Sequence, residues 1–520
     1  MERILLRSKL EKDINNYYIL KDMNGFILSY LKAESNSVIK EATISDLIDV
    51  LSRPYISIKH RICVLNQDET VDYEIPKDDI IEDSISFSEN LQNGQRKSLS
   101  FKLVNKDGKY TPCVNYDYGG GTKSNKQSET IKIFYNGKKY IFNSTGEAYL
   151  FLKEKEIKEI IDIDYNTFKK YIKEKHIFQD FDYEYIKKNN RRFGVHTPLW
   201  GNSRFSYEIG VKIKDDLYYW FAKGIYVLSS ADVPGGDTNR EISITLKDKF
   251  AIFEGNTGKF LYTTEVKHST DVEMVIKDML RQDTGMGYIC DSKKPLIDTS
   301  YKGFKTQTSI RKEQGDTYGS LLSELFTQMN AAYYYNDVGN LVVVPINEEM
   351  KDEHKPVSWT YIKEKGDMID ISKSYDLDSA INIIYVEGNN VETRTYSALV
   401  VNNDPRSPFA VGYIGKRVGD SITDCNVWNK QQARDLGVYT LRKNTLNCLQ
   451  LKSEVRFNPL IKIDTLIEIE HDFFNYNGTK FIVKDISFSS NQGTMNLSLV
   501  DIQSLSFLKV GDGNDIGISE

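Results

Sequence analysis

Apolar residues recur at every second position through two long parts of the chain, a period that is typical of β-strands with one buried face. The first part comprises residues 55–121 and 196–264, and the second comprises residues 366–510. Turn dipeptides such as Asn93-Gly94 separate the alternating segments. The pattern therefore predicts two β-barrel-like domains, of which the first is discontinuous.

Helical spacing of three and four replaces this alternation elsewhere. Residues 1–54 are predicted to form a helical N-terminal arm. Residues 265–365 combine two amphipathic helices with a hairpin and are predicted to form an α+β domain, while 511–520 is a flexible tail. The predicted fold class is α+β, mostly β: two β-barrel-like domains flank a small α+β unit, with a helical arm and an inserted α/β module.

The inserted module, residues 122–195, interrupts the first β domain with a hairpin at Asn136-Gly137 followed by two helices. It concentrates basic and aromatic residues, which are Lys138, Lys139, Lys169, Lys170, Lys173, Lys175, Lys187, Lys188, Arg191, Arg192, Tyr135, Tyr140, Phe142, Phe168 and Tyr171. Acidic residues are also frequent in it. Three interpretations stay open: a solvated decoration, a helix-turn-helix-like contact with DNA, and a contact with a protein or host surface.

Composition limits the class of protein without naming it. The 520 residues are enough for three or four domains, and a net charge of −6 gives no overall argument for binding nucleic acid or an acidic membrane. The five cysteines are far apart and include no CxxC pair, which predicts neither a disulfide framework nor a structural zinc site. No signal peptide or membrane anchor is expected.

The sequence contains no recognisable catalytic, cofactor or metal-binding motif. The six histidines lie on six different segments, without HxH or HExxH spacing, and a G-x-S-x-G motif is absent. The segment Gly119–Ser124 lacks the frame of a phosphate-binding loop. We therefore predict no catalytic residues, no cofactor and no metal ligands, and expect that the protein is not an enzyme.

The order of segments resembles the baseplate or tail-tip hub proteins of tailed bacteriophages, including the hub-like N-terminal region of siphophage tail-associated proteins. The segments that carry the resemblance are 84–112, 199–213, 219–233, 242–259, 316–345, 382–388, 433–441 and the strands from Leu449 to Val500. The helical arm and the insert are not part of the usual pattern of these hubs.

The resemblance implies a homotrimeric virion protein, made and assembled in the host cytoplasm and located in the tail. Its two barrel-like domains per subunit would form a pseudo-sixfold ring that joins the tail tube to the central spike and lets DNA pass. The implied partners are further copies of the chain, the tail tube or distal tail protein, the spike or tip protein and the tape-measure protein. Direct nucleic-acid binding is not expected.

Aromatic residues in strands are the predicted subunit contacts, with ordinary core packing as the alternative. These are Tyr218, Tyr219, Trp220, Tyr333, Tyr334 and Tyr335. Two other functions also stay open: a tail-associated cell-wall hydrolase, and a receptor-binding adhesin that uses the inserted module.

Overall fold

The computed structural model is mostly β with fewer helices, so the predicted α+β, mostly β class is confirmed. Two compact units are present: one combines Met1–Tyr110 with Pro198–Glu520, and the other is Thr111–Thr197. The structure describes residues 9–12, 18–21, 27–33, 42–53, 55–66, 68–105, 110, 129–135, 138–142, 145–155, 157, 160, 163–173, 178, 181–187, 203–214, 217–234, 241–281, 291, 293–346, 355, 357–388, 395–425, 427, 429–490, 493–502 and 504–505.

The strands, in chain order, are β1 (Lys9–Lys12), β2 (Tyr18–Lys21), β3 (Ile27–Ala33), β4 (Ile58–Leu65), β5 (Val71–Glu74), β6 (Ser86–Asn90), β7 (Lys97–Val104), β8 (Glu129–Tyr135), β9 (Lys138–Phe142), β10 (Asp182–Lys187), β11 (Arg204–Lys214), β12 (Leu217–Asp232), β13 (Glu241–Asp248), β14 (Thr264–Val266), β15 (Leu296–Ile297), β16 (Ile310–Lys312), β17 (Ala331–Tyr335), β18 (Leu341–Pro345), β19 (Val357–Ile362), β20 (Met368–Tyr375), β21 (Ile383–Gly388), β22 (Ser397–Val401), β23 (Ile422–Cys425), β24 (Leu449–Arg456), β25 (Leu466–His471), β26 (Tyr476–Ser489) and β27 (Thr494–Asp501). The α-helices are α1 (Ala42–Ser52), α2 (Thr145–Glu154), α3 (Tyr165–Lys173), α4 (Val272–Arg281), α5 (Tyr318–Gln328), α6 (Val411–Ile414) and α7 (Lys430–Cys448).

One sheet of sixteen strands runs through both predicted β domains. The two regions meet where β6 pairs with β26 in antiparallel register. Within the described residues neither region closes into a complete barrel of its own. The outer strand β6 of the N-terminal region pairs with β26 of the C-terminal region, and β20 pairs only with β24 among the described residues, so both strands extend the sheet.

This sheet contains two repeats with the same strand arrangement. In the N-terminal repeat the pairing order is β4-β11-β12-β13-β7-β6, and in the C-terminal repeat it is β19-β25-β26-β27-β24-β20. Corresponding strands also follow in the same order along the chain. One pairing differs, since β4 is antiparallel to β11 whereas β19 is parallel to β25.

Each repeat folds into two layers around one long strand. Strands β12 and β26 have 16 and 14 residues, and each pairs with one layer at its start and the other at its end. A shift in register, between Leu228 and Ser230 in β12 and between Val483 and Asp485 in β26, marks the bend. The apolar face of β13 points between the layers, as the strictly alternating burial of this strand shows.

The predicted helical arm is wrong over its first part. Strands β1, β2 and β3 form an antiparallel meander, and β3 pairs with β12 through Tyr219↔Ala33. A helix follows only at α1. The apolar residues in this stretch fit both periods, but Asn24-Gly25 between β2 and β3 is a hairpin dipeptide that favours strands.

Three smaller sheets accompany the large one among the described residues of this unit, and one of them is the two-stranded pair β14 and β16. Strands β15, β18 and β17 form a sheet whose hairpin packs with α4 and α5 around one apolar cluster, as the predicted α+β unit requires. Strand β21 was expected in the second β domain, but it lies in a separate sheet with β22 and β23, against α7. That location follows from its sequence: Val386 and its neighbours pack on Ala433 of α7.

The unit Thr111–Thr197 has its own core. Strand β8 is central in the order β10-β8-β9, and α2 and α3 cover one face of this sheet. Ile131, Ile133, Phe168 and Ile172 are fully buried there. The segment that ends the insert therefore forms a return strand, β10, paired with β8.

Candidate assembly surface

Eight strands of the large sheet form one continuous antiparallel surface, in the order β12-β13-β7-β6-β26-β27-β24-β20. We call it the eight-strand face. One side is apolar and covers the core through residues such as Phe87, Leu99, Ile244, Phe488 and Leu497. We call the opposite side of these strands the open side, because no second layer of described residues covers it. The residues that alternate with the apolar ones along each strand form this surface.

The open side of the eight-strand face is polar over seven of its eight strands. A single cross-strand row runs over seven strands, and every member is charged, hydroxylated or an amide: Lys247, Ser98, Ser88, Ser487, Asn496, Glu454 and Asp370. The next row repeats the character with Asn90, Asp485, Ser498, Lys452 and Ser372. This surface therefore carries both small hydroxyl side chains and charges of both signs.

The junction between the repeats, which we call the seam, is well packed. On the apolar side the rings of Phe87 and Phe488 lie 5.2 Å apart, and on the open side Ser88 pairs with Ser487. At the end of the seam the Ser490 backbone N–H donates to the Ile85 carbonyl over 2.9 Å. The seam is thus an ordinary antiparallel strand pairing that continues one repeat into the next.

The two outer strands of the eight-strand face, β20 and β12, correspond to the two strands that pair at the seam. Strand β20 has the place in the C-terminal repeat that β6 has in the N-terminal repeat, and β12 corresponds to β26. Within the described residues β20 pairs only with β24, and the last residues of β12 pair only with β13. Tyr375 at the end of β20 is 66% exposed and Ile369 is 51% exposed. Both edges can accept a further strand.

A buried group of charges lies on the N-terminal repeat, and we call it the ionic junction. Its members are Glu69, Lys97, Arg204, Lys249, Asp291, Lys293, Asp337 and Lys462. At its centre the fully buried Lys249 ammonium contacts Glu69, lies 2.6 Å from Asp291 Oδ1 and donates to the Gly339 carbonyl over 2.8 Å. The Tyr335 hydroxyl donates to the other Asp291 oxygen over 2.8 Å.

Asp337, in the turn between β17 and β18, is the second centre of the ionic junction. Lys97 contacts it, and Lys462 Nζ lies 2.6 Å from Oδ2. Burial alone would raise the pKa of Asp337, but Lys462 and Lys97 hold it well below its ordinary value. Burial also lowers the pKa of the nearby Lys223 to about 8. The turn is therefore fixed by ion pairs from both repeats.

The backbone of the same turn requires glycine. Gly339 has a φ of +81°, and a Cβ added there would lie 2.7 Å from Ile225 Cδ1. This close approach lets the turn seat on β12, where Lys249 and Lys97 reach it. The hairpin of the α+β unit is thereby held on the N-terminal repeat.

Burial keeps two titratable groups on β4 uncharged near neutral pH. Burial lowers the pKa of His60 to about 4, and the Tyr207 hydroxyl lies 2.9 Å from its Nδ1. Burial raises the pKa of the Cys63 thiol to about 12, which leaves little thiolate at neutral pH. Among the described residues no group of three or more His, Cys, Asp or Glu side chains is placed to hold a metal ion. None of the described helices is long and apolar enough to span a bilayer.

The predicted contact aromatics are mostly interior residues. Five of the six, Tyr218, Tyr219, Trp220, Tyr333 and Tyr335, are at least 92% buried within their own chain. Their rings meet neighbours of the same chain: Arg61 lies 3.9 Å above Trp220, and Phe326 is 4.4 Å from Tyr333. The core interpretation accounts for these five. Tyr334 is half-buried, with Arg96 3.8 Å above its ring.

Two features of this surface were not predicted from the sequence: the edge strand β20 and the buried lysines of the ionic junction. The apolar residues of strand β20, which are Met368, Ile369, Ile371 and Tyr375, do not keep a regular alternation, which is a weak strand signal. Lys97 and Lys249 are lysines in or beside strands, a residue type that is ordinarily exposed. Their partners lie up to 240 residues away in the chain, so no local pattern indicates them.

No protein-family model matches this sequence, and no curated protein matches it either. Solved structures do resemble it. A 43 kDa tail protein of prophage MuSo2 from Shewanella oneidensis is 11% identical with a TM-score of 0.45, covering 86% of this chain and 99% of its own. Prophage tail protein gp18 from Listeria monocytogenes is 11% identical with a TM-score of 0.40, covering 84% and 94%.

A third similar structure is the c3393 protein of E. coli, a component of the type VI secretion system described as similar to the phage T4 tail proteins gp27 and gp5. It is 8% identical with a TM-score of 0.32, covering 58% of this chain and 70% of its own. With TM-scores below 0.5, the likeness does not by itself identify the function of this chain.

Proposed function

We propose that this chain is a structural hub subunit of a phage tail tip or baseplate, and that copies of it join edge to edge into a ring. The observation that supports this most directly is the internal repeat. One chain already joins two six-strand arrangements through the seam between β6 and β26. The same pairing can recur between β20 of one copy and β12 of the next, because these strands have corresponding places in the two repeats.

Strand direction permits this continuation. All neighbours in the eight-strand face are antiparallel, and the number of strands is even. The outer strands β12 and β20 therefore run in opposite directions, and a second copy placed beside the first would continue the antiparallel pattern. Such head-to-tail contacts form a closed ring when the rotation between copies closes. A homotrimer would present six similar repeats to a sixfold tail tube.

The exposed apolar residues at the β20 edge fit the same proposal. Ile371, Lys373 and Tyr375 alternate in the register of the apolar side, since they pair with Ser453, Leu451 and Leu449 of β24. Tyr375 nevertheless remains 66% exposed in the single chain. In the superposition of the two repeats Tyr375 corresponds to Glu89, which pairs with Ile486 across the seam, and a neighbouring copy would cover the Tyr375 ring at the equivalent place.

The open side of the eight-strand face would then line the ring. Its serine, threonine and asparagine side chains bind water, and its charges have both signs. A lining without a concentrated positive patch would not retain the phosphates of passing DNA. This surface supports a role in DNA passage between tube and spike. The proposed partners are the tail tube or distal tail protein, the spike or tip protein and the tape-measure protein.

The test uses two tyrosines that are equally exposed, at 66%, in different places. Tyr375→Glu puts a charge on the β20 edge, and the control Tyr413→Glu puts the same charge on α6. Native mass spectrometry of the full chain is expected to show a trimer for the wild type and for Tyr413→Glu. For Tyr375→Glu we expect association weakened by about tenfold or more, equivalent to about 1.4 kcal/mol.

Two results would contradict the proposal. One is equal weakening of association by both substitutions, or by neither. The other is electron microscopy of the particle that carries this chain showing it away from the tail tip. A cell-wall hydrolase would instead produce clearing of host peptidoglycan in a zymogram, which the hub proposal does not predict.

A further inference from the structure

The inserted unit carries a charge opposite to that of the rest of the chain. Residues 122–195 contain sixteen lysines and arginines against eleven aspartates and glutamates, a net charge of +5 within a chain whose total is −6. The rest of the chain therefore carries a net charge of −11, since −6 less +5 is −11. A concentration of positive charge in one compact unit is the electrostatic condition for binding a polyanion.

The unit also has a rigid framework for presenting this charge. Helices α2 and α3 pack on the sheet β10-β8-β9, with the rings of Tyr149 and Phe168 5.4 Å apart. Asp164 begins α3 by accepting a hydrogen bond from the Thr167 backbone N–H over 2.7 Å. The hairpin β8–β9 precedes the two packed helices and β10 follows them, an arrangement in which the second helix can face a partner.

The two sides of α3 differ sharply. Phe168 and Ile172 are fully buried in the core of the unit. On the opposite side Asn166 and Lys170 are exposed and Lys169 is half-buried, spaced at i, i+3 and i+4. The nine residues of α3, YNTFKKYIK, include no acidic side chain. Composition favours a solvated decoration, but acidic residues would then be expected on the outer side as well.

We propose that the inserted unit binds double-stranded DNA, with α3 lying in the major groove. The major groove of B-DNA is wide enough for one α-helix. Lysines on the outer side of α3 would contact phosphates, and Asn166 carries the amide that pairs with an adenine edge. A protein partner fits less well, because this side of α3 offers no apolar residue to bury.

DNA binding by this unit is a function additional to the proposed hub and independent of it. Ring formation rests on β20 and β12, whereas DNA binding rests on α3. Each can therefore fail in experiment without affecting the other.

The test measures binding of the full chain to a labelled duplex of mixed sequence, about two helical turns long, by fluorescence anisotropy over a range of salt concentrations. The variant Lys169→Gln/Lys170→Gln removes two charges from α3. We expect affinity to fall about fivefold or more and the slope of log affinity against log salt to decrease by about 2. The matched control Lys302→Gln/Lys305→Gln removes two exposed lysines from the other unit and should change neither.

Thermal unfolding checks that the variant keeps its fold, and Lys170→Glu alone repeats the test at an exposed position. Polyglutamate serves as a polyanion without bases or grooves. The proposal is overturned if the duplex does not bind, if the α3 variants bind it like the wild type, or if polyglutamate competes as well as unlabelled duplex at equal charge. Loss of binding confined to the α3 variants supports it.

Discussion

The N-terminal and C-terminal repeats have the same six-strand arrangement but different interiors at one corresponding position. When the bends of β12 and β26 are superposed strand by strand, Lys97 of β7 corresponds to Leu449 of β24. Both side chains are buried. Lys97 contacts Asp337 and lies 3.5 Å from Glu89, whereas Leu449 packs in an apolar cluster with Phe409.

The difference shows how one strand arrangement can receive two different neighbours. On the N-terminal repeat the ionic junction holds the β17–β18 turn, and a misplaced turn would leave buried charges unpaired at a cost of several kcal/mol. On the C-terminal repeat the corresponding position is apolar and accepts the segment around Phe409. We infer that the ionic junction serves to specify which repeat the α+β unit docks on, more than to add stability.

The largest expected effect comes from breaking the ionic junction. Lys249→Met leaves Glu69 and Asp291 buried without their central partner, and we expect the free energy of unfolding to fall by about 3–5 kcal/mol. Lys452→Met, on the open side of the C-terminal repeat, is the matched control and should change it by less than about 0.5 kcal/mol. Denaturant unfolding of both variants measures the difference. Similar losses for the two lysines would refute a special role for the buried one.

The second prediction compares the seam with the open edge. Phe488 on β26 corresponds to Val233, just beyond β12, in the superposition of the two repeats. Phe488→Ala removes a buried ring from the seam and should cost about 3 kcal/mol in the isolated chain. Val233 is only partly buried, so Val233→Ala should cost less than about 1 kcal/mol.

The same pair of variants also distinguishes the isolated chain from the ring. Val233→Ala should weaken association measured by native mass spectrometry, because a neighbouring copy would pack there. If Val233→Ala destabilises the isolated chain as much as Phe488→Ala, the β12 edge is already covered and the correspondence between seam and edge fails.

Much of this architecture was predictable from local patterns. Strands β24 to β27 and helix α7 lie close to the segments expected from alternation and helical spacing, because their apolar faces are complete. For the aromatic runs at Tyr218 and Tyr333 the sequence left contact and core packing open, because it does not show how deeply those strands are buried within the chain. The partner of a buried lysine such as Lys249 is decided by tertiary structure alone. The meeting of the two repeats at the seam likewise depends on strands about 400 residues apart.

The smallest expected effect is a loss of stability at low pH that arises from a histidine of the N-terminal repeat. His60 lies on β4 of the N-terminal repeat, where burial lowers its pKa to about 4 from an ordinary 6.5. Because the unfolded chain binds this proton more readily, stability is fully present above pH 6.5 and is lost as the pH falls towards 4. The loss of unfolding free energy attributable to His60 is about 2 kcal/mol. This is less than the limit set by about 1.4 kcal/mol for each unit by which the pKa is lowered. His60→Gln should remove this part of the pH dependence, while His268→Gln, at an exposed position, should keep it. Unfolding free energies of the three proteins between pH 7 and 4 measure it, and parallel curves for His60→Gln and wild type would show that β4 does not contribute to the acid sensitivity.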